Sequence, residues 1–446
     1  MRCRIWWVKS LLWVSVALLG TSGRSAAQAQ GPKPARYTVH DLGTLEDGNF
    51  SQATFNNNTG VITGLSTAAD GWQHAVLWAD GQVVNISSPG LGGLNSYATG
   101  ITPDGRAAGA AESWKRDPNN ENFCAYFTGL ECLPFVWQNG AMIQLPLLGG
   151  NNGIAGPINN QGEVVGIAET GINDPDCPGN VAPDGTGPQV LDFLPVIWEP
   201  AMNQVRALAL PAGDTVGAAL WINNSGQAVG TTGTCKNSYP PPICGGPHAV
   251  FWDRDGSVHD LGNLGGTANP AIEGVGNNAF ALNDVGQVTG VSALCDNQNG
   301  CNQTVHAFLW TKQTGRMQDL GTLPGDIWSV GLAINARGDV VGSSLSVQVA
   351  EFLAGNGSGS AVLWQNGQPP VDLNSVVPAD TTLYLLNAFG INDAGQIVGY
   401  GLSQDLEIHA FIATPIPGNG PAARGSVNPP ALPEKARKLL RTGLHF

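Results

Sequence analysis

The chain has 446 residues, a formal net charge of −14 and only 12% charged residues, with 61 Gly and 30 Pro. That composition excludes a coiled-coil or long-helix protein, and the excess of acid argues against a nucleic-acid partner, whose phosphates an acidic surface repels. Gly and Pro stay below the low-complexity range and 13 Trp with 13 Phe can fill a core, so a turn-rich β fold is expected.

The first element in chain order is a targeting segment. Arg2, Arg4 and Lys9 precede the apolar run SLLWVSVALLG at 10–20, and Ala27 and Ala29 form an Ala-x-Ala site before Gln30. Residues 1–29 read as a cleaved signal peptide and 30–36 as a short linker. The run is too short to span a bilayer comfortably, so a retained anchor is the lesser reading. Cleavage removes only basic charge and leaves a mature chain of −18. A secreted, periplasmic or extracellular protein is expected, with no transmembrane segment in the mature chain. Its acidity suits neutral glycans, cationic partners or calcium, although acidity that merely keeps a secreted protein soluble is the plainer account.

From 37 to 416 the sequence repeats. INNQGEVVG (158–166), INNSGQAVG (222–230), INARGDVVG (334–342) and INDAGQIVG (391–399) are copies of one unit. Its Gly-x-apolar-x-Gly step begins at Gly60, Gly105, Gly162, Gly226, Gly286, Gly338 and Gly395. A second element ends at Trp78, Trp137, Trp198, Trp252, Trp310 and Trp364, and in HAFIA at 409–413. A third is DLGTL (41–45), DLGNL (260–264) and DLGTL (319–323), with weaker versions at 85–93, 144–150, 207–213 and 372–378.

Asn-x-x-Gly is a hairpin turn: Asn favours its first position and Gly accepts the positive φ at its end. The apolar residues come in short blocks or at spacing two, as strands require. Each unit therefore reads as four short strands, repeated at 45 to 64 residues between turn glycines. That is the pattern of a seven-bladed β-propeller with four-stranded blades. YTVHDLG (37–43) has no Trp strand before it, and HAFIA has no Asp-Leu-Gly strand after it. The ring is expected to close by pairing of these two, which also removes free sheet edges. An open solenoid is the alternative that these matching ends disfavour. Which strand is innermost is not legible.

The linked motifs HAFLW (306–310), DLGTL and Ile-Asn-x-x-Gly-x-Val-Val-Gly resemble the HAF repeat family, over nearly all of 37–413. The tripeptide stands at 306–308 and 409–411, and His-Ala-Val at 74–76 and 248–250. The resemblance implies an extracellular bacterial repeat protein. The family carries no established activity, so it transfers no catalytic or ligand residues.

Turn Gly to Trp position takes 18 residues in units 1 and 7 (60→78, 395→413) but 32 and 36 in units 2 and 3 (105→137, 162→198). Insertions thus gather between the second and third strands, on the face opposite the tight turns, which is the usual layout of a binding face. Cys124 with Cys132, Cys235 with Cys244, and Cys295 with Cys301 each share one insertion, so three local disulfides are expected, with Cys177 left over. Asp174, Asp176 and Asp184 in the longest insertion form a weak calcium candidate. Trp72 and Trp114 are loop aromatics suited to stacking on sugars or capping blades. His74, His248, His306 and His409 read as blade residues.

Neither Gly-x-Ser-x-Gly nor His-Glu-x-x-His occurs, so catalysis is disfavoured and no cofactor is required. A carboxylate pair could be assembled across blades from Glu112, Asp117, Glu121, Glu169 or Asp192, as glycosidases need. The expected function is a secreted, monomeric scaffold that binds a protein or glycan through the inserted loops. A glycan-active hydrolase or lyase and a cell-envelope structural protein are the alternatives. Residues 417–446 read as a Pro/Gly-rich linker and a basic tail.

Overall fold

The computed structural model describes residues 37–87, 90–177, 189–199, 203–235, 246–269, 275–296, 300–347, 359–365 and 367–417. The expected signal peptide, the 30–36 linker, the tail beyond 417, Asp184 and Cys244 lie outside the described residues. The chain is all-β: seven sheets of four antiparallel strands form a seven-bladed propeller, with one short 3-10 turn, Leu373–Ser375, among the described residues.

The strand ending at the Asn turn is the innermost of each blade. These inner strands are Ser51–Asn56, Gly92–Ile101, Gly149–Ile158, Val216–Ile222, Asn278–Leu282, Trp328–Ile334 and Tyr384–Ile391, and each touches the next around the ring. From there each chain segment steps outward through the Gly strand and the Trp strand to the outer strand. Blade 7 takes its outer strand from the other end of the chain: Tyr37–Asp41 pairs with Ile408–Pro415, Val39 opposite Ala413 and Asp41 opposite Phe411.

Each repeated residue has a physical task. The turn Asn faces two ways. In Asn283, Oδ1 accepts the N–H groups of Val285 and Gln287 (3.2 and 2.9 Å), while Nδ2 donates to the carbonyl of Asn335 in the next blade (2.9 Å). The same inter-blade bond joins Asn57 to Thr102, Asn159 to Asn223, Asn223 to Asn283, Asn335 to Asn392 and Asn392 to Asn57. Only the step from Thr102 to Asn159 lacks it, because Thr102 has no amide to donate. The turn glycines sit at φ between +71° and +90°, where a Cβ is strained. The second Gly of the step answers a different demand. In every blade the inner strand bulges opposite it, and a Cβ on Gly64, Gly166 or Gly342 would collide with the carbonyl of Gln52, Ile154 or Val330.

The Ala of His-Ala-x is fully buried, and its N–H reaches a serine of the neighbouring inner strand: Ala75 to Ser96, Ala307 to Ser329 and Ala410 to Ser51, each 2.9 Å. The Asp of Asp-Leu-Gly orders its own turn, accepting the N–H of Gly43, Gly262 and Gly321 at 2.7–2.8 Å. In blades 5 and 7 it also holds the repeat histidine: His306 Nδ1 lies 3.0 Å from Asp319 and His409 Nδ1 2.7 Å from Asp41. Trp78, Trp198, Trp252, Trp310 and Trp364 are buried between blades, and Trp137 is half-buried. Trp198 and Trp252 donate from Nε1 to the carbonyls of Pro146 and Ala209.

Candidate functional site

The central channel is not free along its length. Phe55 of blade 1 and Trp221 of blade 4 meet with ring centroids 5.6 Å apart. On the tight-turn face the described residues leave a mouth of about 160 Å³, rimmed by the turn asparagines and by Asp284 and Asp393. Ligand-sized space lies instead on the inserted-loop face, between blades 1 and 2. There a cleft of about 610 Å³ is lined by Asp70, His74, Asn85, Ser87, Asn95 and Glu112, among others. Trp72 and Trp114, exposed by 39% and 73%, do not line the cleft but stand next to residues that do: Trp72 is two residues past Asp70, and Trp114 packs over Gly92, between the lining residues Leu91 and Gly93. Lys115 lies over the Trp114 ring at 6.0 Å.

The wall nearest blade 1 departs from the other blades. Asn85-Ile86-Ser87 stands where blades 4, 5 and 7 have Asp-Leu-Gly. Asn85 still makes the turn, its Oδ1 accepting the N–H of Ser87 (2.8 Å), but it brings no carboxylate to the histidine. His74 Nδ1 instead faces Ser87 Oγ at 2.8 Å, and its Nε2 meets Asp70 at 3.0–3.1 Å. Desolvation pushes Asp70 slightly up, but the bonds from Trp72 N–H and His74 outweigh it and hold the carboxyl below its usual range.

Beneath the cleft lie buried acids. Glu112, midway along the second strand of blade 2, accepts from the backbone and side chain of Asn95 (3.1 and 2.8 Å) and from the hydroxyl of Thr128. Burial raises its pKa against those bonds. One blade on, Glu169 holds the equivalent place. Asp117, Glu121 and Glu169 bring carboxylate oxygens within 4.8 Å of one another, all buried. Asn152 bridges Asp117 and Glu169 from one amide (2.8 and 2.9 Å), and Gln189 bridges Glu121 and Glu169 (3.2 and 3.1 Å). Glu121 also accepts the N–H groups of Val190 and Leu191. Burial, then the charge of Glu121, pushes Glu169 up to about 9, so it carries a proton at neutral pH. Burial raises Glu121 as well. The amides already satisfy these oxygens, so the cluster ties the insertions of blades 2 and 3 together.

The acids singled out in the sequence thus divide three ways. Asp117, Glu121 and Glu169 converge, Glu112 lines the cleft, and Asp192 turns away. Asp192 faces Asp174, and burial followed by that neighbour pushes it up to about 6. Asp174 Oδ2 and Asp192 Oδ1 are buried without a donor. Of the calcium candidates, Asp174 therefore answers Asp192, whereas Asp176 is exposed and meets Asp174 through its backbone N–H (2.7 Å). Asn152, Gln189 and Ser87 carried no sequence signal. They are ordinary polar residues: Asn152 and Gln189 gain a role only from the neighbouring blade, and Ser87 only from the way His74 of its own blade is turned toward it.

The cysteines need one correction. Cys124–Cys132 and Cys295–Cys301 are bonded within their insertions, at separations of 8 and 6 residues. Cys235 does not pair locally with Cys244. It is bonded to Cys177, across 58 residues and between the insertions of blades 4 and 3. The two insertions lie on one face of adjacent blades, so ring neighbours outcompete sequence neighbours.

No protein-family model matches the chain, and no curated protein does. The chain is similar to solved β-propellers at low identity. One is the propeller domain of the Trilobed protease from Pyrococcus furiosus, with 10% identity, a TM-score of 0.46, and 86% of this chain and 98% of that chain covered. A gluconolactonase from Xanthomonas campestris gives 9%, 0.36, 88% and 100%. The Aleuria aurantia lectin gives 9%, 0.33, 87% and 100%.

Proposed function

We propose that this chain is an extracellular propeller of the HAF-repeat type that binds a neutral carbohydrate in the cleft between blades 1 and 2. The observation that carries this reading is the pair of exposed tryptophans flanking a concave, polar-walled cleft of about 610 Å³. Ligand sites pair apolar or aromatic surface with a few converging polar groups, and exposed large aromatics are otherwise costly to leave in water. Sugar rings present an apolar face to an indole and hydroxyls to an amide, a carboxylate and an imidazole, which Asn95, Asp70 and His74 supply. Three disulfides support an oxidising compartment, and no described helix is long and apolar enough to cross a membrane.

A glycan array probed with the mature chain, with and without calcium, tests the reading. The expected result is binding that Trp114→Ala and Trp72→Ala each weaken at least about 10-fold, as loss of a stacking contact predicts. Silence across the array, or binding that both variants leave intact, sinks it. A calcium-dependent signal would implicate the Asp174–Asp192 pair.

A further inference from the structure

We infer that Ser87, His74 and Asp70 form a nucleophilic relay in this cleft, acting on acyl esters carried by the bound carbohydrate. The inference rests on the cleft being the ligand site. Its geometry is independent of the tryptophans that support that reading.

Blade 1 is the exception in a repeated arrangement. In blades 5 and 7 the histidine Nδ1 faces the Asp of Asp-Leu-Gly, and in blade 4 His248 Nδ1 faces Asp214 at 2.8 Å. Those are closed His–Asp pairs. In blade 1 two coordinated replacements, Asn for Asp at 85 and Ser for Gly at 87, take the carboxylate off Nδ1 and put a hydroxyl there. A third residue, Asp70 of the short loop between the second and third strands, supplies a carboxylate at Nε2. With Nε2–H donating to Asp70, the neutral ring keeps its Nδ1 lone pair free to take a proton from Ser87. The hydroxyl has a second acceptor at hand in Asn85 Oδ1 (2.6 Å), which holds it in place between turns of the cycle. All four side chains line the cleft, and Ser87 is only half-buried.

Nucleophile, base and orienting carboxylate within hydrogen-bond reach of one another are the parts of acyl transfer, recognised by roles and not by chain order. As Ser87 Oγ bonds to the ester carbonyl carbon, its proton passes to His74 Nδ1 and the carbonyl π pair moves to oxygen. Collapse breaks the bond to the sugar oxygen, which takes the proton from Nδ1. Water then attacks the acyl-serine, gives a proton to Nδ1 and releases the acid, while Ser87 recovers that proton. The sum is ester plus water to acid plus alcohol, with no other reactant.

The test uses the whole mature chain with a fluorophosphonate probe and with an acetylated monosaccharide. The expected result is probe mass on the peptide containing Ser87 and slow acetate release. Ser87→Ala should abolish both, and His74→Ala or Asp70→Asn should cut the rate 10-fold or more. Asn85→Asp is the second arm: it restores the closed pair of blades 5 and 7, keeps the fold, and should silence labelling. Labelling that survives Ser87→Ala, or no labelling of a chain whose glycan binding still depends on Trp72 and Trp114, overturns the relay and leaves the cleft a binding site. Labelling of Ser87 without any glycan binding upholds the relay and removes the carbohydrate.

Discussion

Blades 1, 5 and 6 and blades 2 and 3 solve the same problem differently. Each must fasten the link that arrives from the preceding blade. In blades 1, 5 and 6 a fully buried serine two residues past the strand glycine does it: Ser66, Ser292 and Ser344 accept the N–H groups of Leu45, Leu264 and Leu323 at 2.9–3.0 Å. In blades 2 and 3 that serine is Ala111 or Ala168, and the next residue, Glu112 or Glu169, reaches the link at Asn95 or at Asn151 and Asn152. A neutral hydroxyl has become a buried carboxyl. Burying it is costly unless donors gather around it, and the long insertions of these blades bring Thr128 to Glu112 and Gln189 to Glu169. Insertion length and buried acid therefore belong together, and the cleft opens at the boundary between the two solutions.

The largest way to break this difference is to cut the staple across blades 3 and 4. Removing Cys177–Cys235 with serine at both positions should cost about 4 kcal/mol, whereas removing Cys124–Cys132 should cost about 2.5, because the longer loop loses more entropy when closed. Denaturant unfolding of the two double variants compares them. Equal losses would show that the insertions do not hold the blades together.

The architecture was legible in the sequence because it is written seven times. The turn glycines mark a backbone geometry that recurs in all seven blades, with tryptophan in six and Asp-Leu-Gly in three marking the same strands. Cys177 with Cys235, and Asn152 with Asp117 and Glu169, were not legible. They depend on which insertions become neighbours in the ring, which no local spacing encodes. His74 was legible only as a repeat histidine. Its difference lies in the partners Asp70, Asn85 and Ser87, each unremarkable alone.

A second test weighs the turn face against the loop face. Asn283→Ala strips the carbonyl of Asn335 and two turn N–H groups of their partners, and should cost about 2 kcal/mol. Glycan binding at the cleft, on the other face, should not change. A loss of binding as large as the loss of stability would mean that the faces are coupled.

Glu169 gives blade 3 the strongest pH signature of these blades, although burial also raises Asp326 and Asp372 at blade 6. Glu169 is raised above its unfolded value, so the folded state holds the extra proton. Its contribution is complete below about pH 4.5 and is lost as pH climbs toward about 9. Glu169→Gln keeps a neutral side chain at every pH. It should therefore gain on the parent as pH rises from 5 to 9, by on the order of 2 kcal/mol since Glu121 shares the titration. Parallel melting curves for the two proteins across that range would place the proton elsewhere.

The smallest effect tests whether blade 2 is the weak link of the turn face. Thr102→Asn supplies the one amide missing from the circuit of inter-blade bonds, aimed at the carbonyl of Asn159 as Asn159 is aimed at Asn223. The backbone there already matches the other turns, with Thr102 N–H bonded to Arg106 and Gly105 N–H to Thr102. The new side chain needs no rearrangement to accept the N–H of Arg106, which Thr102 Oγ1 now takes at 3.0 Å. A gain of up to about 1 kcal/mol is expected, net of the lost hydroxyl bond to Asp104. A loss instead would mean that blades 2 and 3 are spaced too widely on this face for the bond.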